Sequence, residues 1–199
     1  LRKYRGRDMA MIFQDPMSSL HPFYTIGDQI IEAHQVHNQV DEKVSKARAI
    51  ELLEMVGIQG AATRLKSFPH QFSGGMRQRA SLCRALIHQP SVLILDEPFG
   101  ALDAFTREDL WQIMFKLRIE QKVTCMLITH DLRESMFLAD EVVVLSDRPA
   151  GIQHRLTVPL GNDRTIEDLY KPEIVECLAE LRRQIQIAQG RQPAAEEAA

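Results

Sequence analysis

The chain has 199 residues, of which 45% are apolar and 26% are charged, a balance typical of one globular domain. The 24 basic and 27 acidic residues leave a net charge of -3, which argues against a broad basic surface for nucleic acid. No run of about 20 apolar residues occurs, so the sequence predicts no membrane-spanning helix. The cysteines form no CxxC pair, and we expect reduced thiols in the cytosol.

The first half of the chain is predicted to be mostly helical after one short strand. The apolar run Met9–Phe13 is typical of a buried strand. Apolar residues recur at helical spacing over 25–37 and 41–56, where Asp41 is a suitable N-cap. A third helix is predicted from Gly74 to about His88, after Ser73.

The second half alternates strands with helices. The predicted strands cover 92–95, 123–128 and 142–145, and the predicted helices cover 106–120 and 131–139. This alternation favours an α/β fold with a parallel sheet. Beyond residue 149 we expect an edge strand, a helix over 172–189 and a frayed tail from residue 190.

Two adjacent carboxylates, Asp96 and Glu97, end the apolar strand Val92–Leu95. Ligands of open α/β sheets bind at the carboxyl ends of the strands, and carboxylate oxygens suit Mg²⁺. One interpretation is therefore a Walker B site, in which Asp96 holds Mg²⁺ on a nucleotide and Glu97 orients the attacking water. The alternative is a solvated acidic cap at a strand end.

A glycine-led helix start lies upstream of these acids. Ser73 is a suitable N-cap, and Gly74 and Gly75 place no side chain over the first backbone amides. The helix dipole, the amides and the hydroxyl together predict an anion site that could hold a γ-phosphate. The alternative is an ordinary Ser-Gly helix start.

These motifs occur together in a known family. The runs SGGMRQR and LDEPFGALD resemble the signature motif, the Walker B motif and the D-loop of ATP-binding cassette (ABC) ATPases. The resemblance covers about residues 9–147. It implies a P-loop NTPase-like α/β fold with a parallel sheet core and a helical subdomain, and it implies ATP and Mg²⁺ as ligands.

The resemblance also implies roles for single residues. Gln14 matches the Q-loop residue that contacts Mg²⁺, water and the transmembrane subunit, and His130 matches the switch histidine that bonds the γ-phosphate. Asp103 matches the D-loop residue at the dimer interface, and it is also a suitable N-cap. Ser73, Gly74, Gly75 and Met76 match the signature residues that contact the ATP of a partner subunit.

The resemblance further implies the partners and the location. Members of the family work as head-to-tail dimers, in which the signature of one subunit completes the P-loop site of the other. We therefore expect a second ABC ATPase subunit and transmembrane permease subunits as partners, at the cytoplasmic face of the cell membrane, and no nucleic acid. The implied function is ATP hydrolysis that energises solute import.

A phosphate-binding loop is not found in the sequence. No GxxxxGK[ST] run occurs, and in the family this loop precedes the Q-loop. We expect truncation rather than degeneration, because Glu97, His130 and Ser73 are all in place. The chain alone is then expected to hydrolyse little or no ATP. The alternative function is a non-catalytic, signature-bearing module that regulates an intact ABC ATPase or a membrane subunit.

The resemblance predicts three parts within one partial ABC ATPase domain over residues 1–199. Residues 15–88 are expected to form the helical subdomain with the signature motif. Residues 89–149 are expected to form the RecA-like core with the Walker B motif, the D-loop and the switch histidine. Residues 150–199 are expected to form a C-terminal helix and the frayed tail.

The two halves of the chain favour different importer subtypes. The run FQDPMSSLHPFYTIGDQI resembles dipeptide and oligopeptide importer ATPases, whereas THDLRESMFLADEVVVLSDRP resembles ATPases of nitrate, sulfonate and taurine importers. The change lies near Arg79, so a recombined gene is one hypothesis and a mixed intermediate within the superfamily is the other. The transported solute stays open.

Some residues outside these motifs also invite a functional interpretation. His34 and His37 lie three residues apart on a predicted helix, but no third metal ligand is near them in sequence, so solvated surface positions are favoured. Cys83 has the spacing of a core residue.

Overall fold

The computed structural model describes residues 8–13, 19–38 and 40–191. The helices are α1 (Ile26–His37), α2 (Glu42–Met55), α3 (Ala61–Arg64), α4 (Gly74–Leu86), α5 (Ala104–Gln121), α6 (Leu132–Leu138) and α7 (Pro172–Ala188). The strands are β1 (Met9–Ile12), β2 (Val92–Asp96), β3 (Thr124–Ile128), β4 (Glu141–Leu145) and β5 (Ile152–Thr157). The chain divides into two compact units, Leu1–Ile128 and Thr129–Ala199.

The first unit contains the predicted parallel sheet. Its strand order is β1-β2-β3, so β2 is central, and Ile94 lies opposite Met11 on one side and Met126 on the other. Alternate residues of β2 are buried, with Leu93 and Leu95 almost fully inaccessible to solvent. The long connections that parallel strands require are helical here, which is why helices and strands alternate in the sequence.

The helices of the first unit begin at caps that their sequences supply. Thr25 and Asp28 form a reciprocal capping box at the start of α1. Asp41 accepts a 2.8 Å hydrogen bond from the Lys43 amide at the start of α2, as predicted. Gly27 lets α1 approach the backbone at Leu65 closely, because an added Cβ would lie 2.8 Å from the Leu65 carbonyl oxygen.

His34 and Cys83 are both buried, and the burial of His34 corrects a prediction. His34 is only 9% exposed, and its Nδ1 lies 3.1 Å from the Ser45 hydroxyl, so the expected solvated position is wrong. Burial, and secondarily the charge of Arg48, lowers the pKa of His34. Cys83 is fully buried as predicted, and burial raises the pKa of its thiol.

The correction for His34 has a physical cause. Its helix α1 packs against α2, and the hydroxyl of Ser45 on α2 offers the ring a polar partner inside the contact. A polar ring is buried at little cost when such a partner is present. Within the described residues, no group of three or more His, Cys, Asp or Glu side chains is arranged to hold a metal ion.

The second unit contains an antiparallel pair of strands. β4 pairs with β5, so the strand predicted over 142–145 does not extend the three-stranded parallel sheet. Its partner follows after a short connection, which suits antiparallel pairing. α7 packs on both strands and on α6. In the part of the chain that the structure describes, no helix combines the length and the apolar character needed to cross a membrane.

Candidate functional site

The central strand carries two acids to the carboxyl end of the parallel sheet. Asp96 is the last residue of β2 and lies opposite Ile128 of β3. Glu97 follows with a backbone φ of 47°, in the left-handed region that non-glycine residues adopt infrequently. Both residues are half-buried. The two acids therefore lie at the carboxyl end of the central strand, where ligands of such folds bind.

Hydrogen bonds and burial fix the turn that follows the strand. The Glu97 amide donates to the Ile128 carbonyl at 2.9 Å, and the Gly100 amide donates to the Glu97 carbonyl at 3.4 Å. Pro98 and Phe99 between them are buried, Phe99 completely. The backbone of Glu97 is thus anchored to β3 on one side and to a buried turn on the other.

The start of α4 has the features of an anion site. The Ser73 hydroxyl accepts a 3.2 Å hydrogen bond from the Met76 amide and so caps the helix. Gly74 has nothing within 4 Å of the position that a Cβ would take, so the first turn is open above it. The first amides of an α-helix have no carbonyl partner within the helix, and the dipole is positive there.

A second helix start lies beside the first. Asp103 caps α5 through a 3.0 Å hydrogen bond from the Thr106 amide. Hydrogen bonds from the backbone and then the side chain of Thr106 lower the pKa of Asp103, so this carboxyl is an anion at neutral pH. A Cβ at Gly75 would lie 2.6 Å from the Thr106 Cγ2 atom. Only a glycine lets the two helix starts approach this closely.

The two helix starts border a groove of about 410 Å³, which we call the helix-start groove. It is lined by Ser73, Gly74, Gly75, Met76, Arg79, Ala101, Leu102, Asp103 and Thr106. Five of the residues predicted from the sequence therefore meet at one surface, although they come from two segments of the chain. Arg79 and Thr106 were missed by sequence reasoning, and the helical spacing of Arg79 from Ser73 gave no sign of this placement.

The predicted switch histidine belongs to the second unit. His130 is exposed, between Thr129 and the N-cap of α6. That cap, Asp131, accepts hydrogen bonds from the amides of Arg133 at 2.9 Å and Glu134 at 3.2 Å. The Thr129 hydroxyl in turn accepts from the Asp131 amide at 3.0 Å. The loop around His130 is thus ordered by its neighbours, and its role toward a nucleotide stays a prediction.

Gln14, the remaining predicted site residue, lies outside the described residues. Its expected contacts with Mg²⁺, water and a membrane subunit stay predictions. In the first unit, the described part of the site thus consists of the acid pair on β2 and the helix-start groove. Together with the parallel sheet, these features define an α/β protein of the nucleotide-binding class.

Comparison with known proteins gives the family. Residues 2–100, about half of the chain, match the family model described as ABC transporter. The dipeptide transport ATP-binding protein DppD of Bacillus subtilis (strain 168) is 43% identical over 145 residues, which are 73% of this chain and 43% of that protein. DppD of Escherichia coli (strain K12) is 42% identical over 144 residues, which are 72% of this chain and 44% of that protein.

Solved structures agree with this assignment. A dimeric ATP-binding cassette in a post-hydrolysis state, bound to ADP and Pi, matches with a TM-score of 0.67 and 25% identity over 80% of this chain and 67% of that one. The chain belongs to the ABC transporter family, and it carries part of an ABC ATPase domain. It spans less than half the length of the curated relatives that it matches.

These findings confirm the recognised family and the α/β fold class. They also agree with the peptide-importer resemblance of the front half, since the relatives are named for dipeptide transport. The resemblance of the rear half to nitrate, sulfonate and taurine importers, the recombined-gene hypothesis and the three-part division of the domain stay predictions.

Proposed function

We propose that the protein carrying this chain binds and hydrolyses ATP as the cassette subunit of an importer, and so energises solute uptake. The observation that carries the proposal is the acid pair Asp96 and Glu97 at the carboxyl end of the central parallel strand. The family membership supports it, and the names of the DppD relatives support peptides as the solute class.

The acids divide the chemistry between them. Asp96 is a half-buried carboxylate at the carboxyl end of the central strand. This hard oxygen donor fits Mg²⁺, whose other ligands would be water and phosphate oxygens. When bound, Mg²⁺ would neutralise charge on the phosphates. Glu97 would orient the attacking water and accept its proton, with its backbone fixed by the Ile128 carbonyl. Gln14 and His130 would contact the γ-phosphate and its surroundings.

The helix-start groove would serve a second subunit. The Ser73 hydroxyl and the first amides of α4 would bind the γ-phosphate of ATP held mainly by the partner, in a head-to-tail dimer. Asp103 would lie at the same dimer interface. The structural relative is dimeric and has ADP and Pi bound, which supports a dimer of such subunits. Transmembrane permease subunits would complete the assembly at the cytoplasmic face of the membrane.

The experiment measures ATP hydrolysis by the full-length protein, assembled with its partners, before and after Glu97→Gln. Loss of a general base lowers kcat by about 10²- to 10⁴-fold. Glu54→Gln is the matched control, because Glu54 is exposed on α2 and should leave the rate unchanged. A Glu97→Gln protein that hydrolyses ATP at the original rate would remove Glu97 from the chemistry.

One observation favours a second function. All residues that line the helix-start groove lie in the part of the chain that the structure describes. A non-catalytic, signature-bearing module that docks on an intact ABC ATPase or a membrane subunit would use this groove. Adding the purified 199-residue chain to an intact cassette discriminates the two: a changed ATPase rate of the cassette, with no hydrolysis by the chain alone, favours the module.

A further inference from the structure

A buried glutamine joins the helix of the signature motif to the turn that carries Glu97. Gln78 lies on α4 and has no solvent-exposed surface. Its side-chain Nε2 donates a hydrogen bond of 2.5 Å to the Pro98 carbonyl oxygen. A buried donor is expensive to leave unpaired, so loss of the Pro98 carbonyl as the partner of Nε2 would be unfavourable.

Because Pro98 directly follows Glu97, the contact with Gln78 fixes the backbone next to this carboxylate. Proline has no backbone N–H, so the carbonyl is the one hydrogen-bonding group of its backbone. Pro98 directly follows Glu97, whose φ of 47° requires the surrounding structure to hold it in place. The Ile128 carbonyl holds the amide of Glu97 from the β3 side. Gln78 holds the chain immediately after Glu97 from the α4 side.

The same helix also borders the helix-start groove. Ser73 caps α4, and Gln78 lies in the turn that follows the capped one. Because an α-helix is internally hydrogen-bonded, a displacement at its start is carried to Gln78 as a movement of the same body. At its start α4 also abuts α5, where Gly75 faces Thr106. A ligand in the groove that displaces the start of α4 would therefore also displace Gln78 and its hydrogen bond to the Pro98 carbonyl.

We propose that Gln78 is a positioning residue for Glu97, which links the groove that binds the partner's nucleotide to the hydrolytic carboxylate of the same chain. The proposal rests on the hydrolytic function proposed above for Glu97. In this scheme Gln78 contacts neither the nucleotide nor the water. It acts by fixing the backbone at Pro98, directly after Glu97.

The test is a double-mutant cycle in the full-length, assembled protein. Gln78→Leu removes the donor at similar volume, and we expect kcat to fall by about 10- to 100-fold, as for a small misplacement of a reacting group. The KM for ATP should stay within about twofold, since no binding contact is removed. In a Glu97→Gln background, Gln78→Leu should cause no further loss, because the group that it positions is already absent.

Two variants separate positioning from general damage. Gln112→Leu makes the same change at an exposed position of α5 and should leave kcat unchanged. Gln78→Glu keeps the size of the side chain, but only its protonated form can donate to the Pro98 carbonyl, so its relative kcat should rise as the pH falls. Equal losses from Gln78→Leu with and without Glu97→Gln would overturn the proposal, because a structural defect would act in both backgrounds.

Backbone hydrogen exchange gives a readout that needs no hydrolysis. Gln78→Leu should speed exchange of the amides in the segment 97–100, and Gln112→Leu should not. If Glu97→Gln leaves hydrolysis intact, the proposed role of Glu97 fails, and exchange alone then decides whether Gln78 fixes this turn. Unchanged exchange in Gln78→Leu would overturn the positioning role, whatever Glu97 does.

Discussion

The two helix starts that border the groove are built alike and differ in charge. α4 follows a neutral serine and has two glycines as its first residues, whereas α5 follows an aspartate. Each cap accepts a hydrogen bond from the third amide of its helix, at 3.2 Å for Ser73 and 3.0 Å for Asp103. The carboxylate of Asp103 already offsets the positive end of α5, whereas the start of α4 keeps its positive potential for an external anion.

This difference shows that capping a helix and binding an anion at its start are separable tasks. A cap satisfies one backbone amide, and serine, aspartate and asparagine do so about equally well. A neutral cap and space above the first turn additionally favour the binding of an external anion. Gly74 provides that space, with nothing near the position of a Cβ. The following substitutions test whether charge and space are the properties that distinguish the two starts.

The largest effect is expected from Ser73→Asp, which gives α4 the cap of α5. Aspartate still accepts from the Met76 amide, so the free energy of unfolding should change by less than about 0.5 kcal/mol. A carboxylate beside the bound phosphate should repel it and lower the ATPase rate of the assembled protein by about 10- to 100-fold. Urea unfolding and steady-state ATPase assays measure the two quantities. An unchanged ATPase rate in the Ser73→Asp protein would contradict the anion site.

Space is tested by alanine at the two neighbouring glycines. Gly75→Ala would put a Cβ 2.6 Å from the Thr106 Cγ2 atom, and we expect a loss of about 1–3 kcal/mol in unfolding free energy. Gly74→Ala is the matched control, since its Cβ meets nothing within 4 Å and should be tolerated. Adding Thr106→Ser removes the clashing methyl group but keeps the hydroxyl. If the double variant is as unstable as Gly75→Ala alone, the clash is not the cause.

The sequence predicted each helix start but not how the two meet. Ser73 and Asp103 are typical N-caps, and the elements predicted from apolar spacing all occur in the structure. The approach of Gly75 to Thr106 joins segments that are about 30 positions apart, and no local pattern encodes it. The same holds for the Gln78 contact with Pro98, 20 positions away. The left-handed backbone of Glu97 likewise depends on tertiary contacts, such as that with Ile128.

A smaller effect is expected when the cap of α4 is removed without adding charge. Ser73→Ala leaves the Met76 amide without its partner and should lower the unfolding free energy by about 1 kcal/mol. Ser73→Thr keeps a hydroxyl and should lose less. Thermal or urea unfolding compares the three proteins. Equal stability of the alanine variant and the unchanged protein would show that water replaces the hydroxyl fully.

The smallest effect is a pH dependence that belongs to one helix start only. Hydrogen bonds from Thr106 lower the pKa of Asp103 in the folded protein relative to its ordinary value of 3.8. The ionised cap therefore stabilises the fold above that pH, and this contribution is lost as the pH falls through the lower, folded pKa. The stability advantage of the unchanged protein over Asp103→Asn should shrink between about pH 5 and about pH 2.

The corresponding difference for Ser73→Ala should not vary with pH, because a hydroxyl does not titrate in this range. Unfolding free energies of the three proteins over this pH range give both differences. The unchanged protein is the common reference, so titration elsewhere in the chain cancels. A constant difference for Asp103→Asn would mean that Asp103 does not carry the charge that distinguishes α5 from α4. A varying difference for Ser73→Ala would mean that the start of α4 senses a titrating neighbour, and its positive potential would then depend on pH as well.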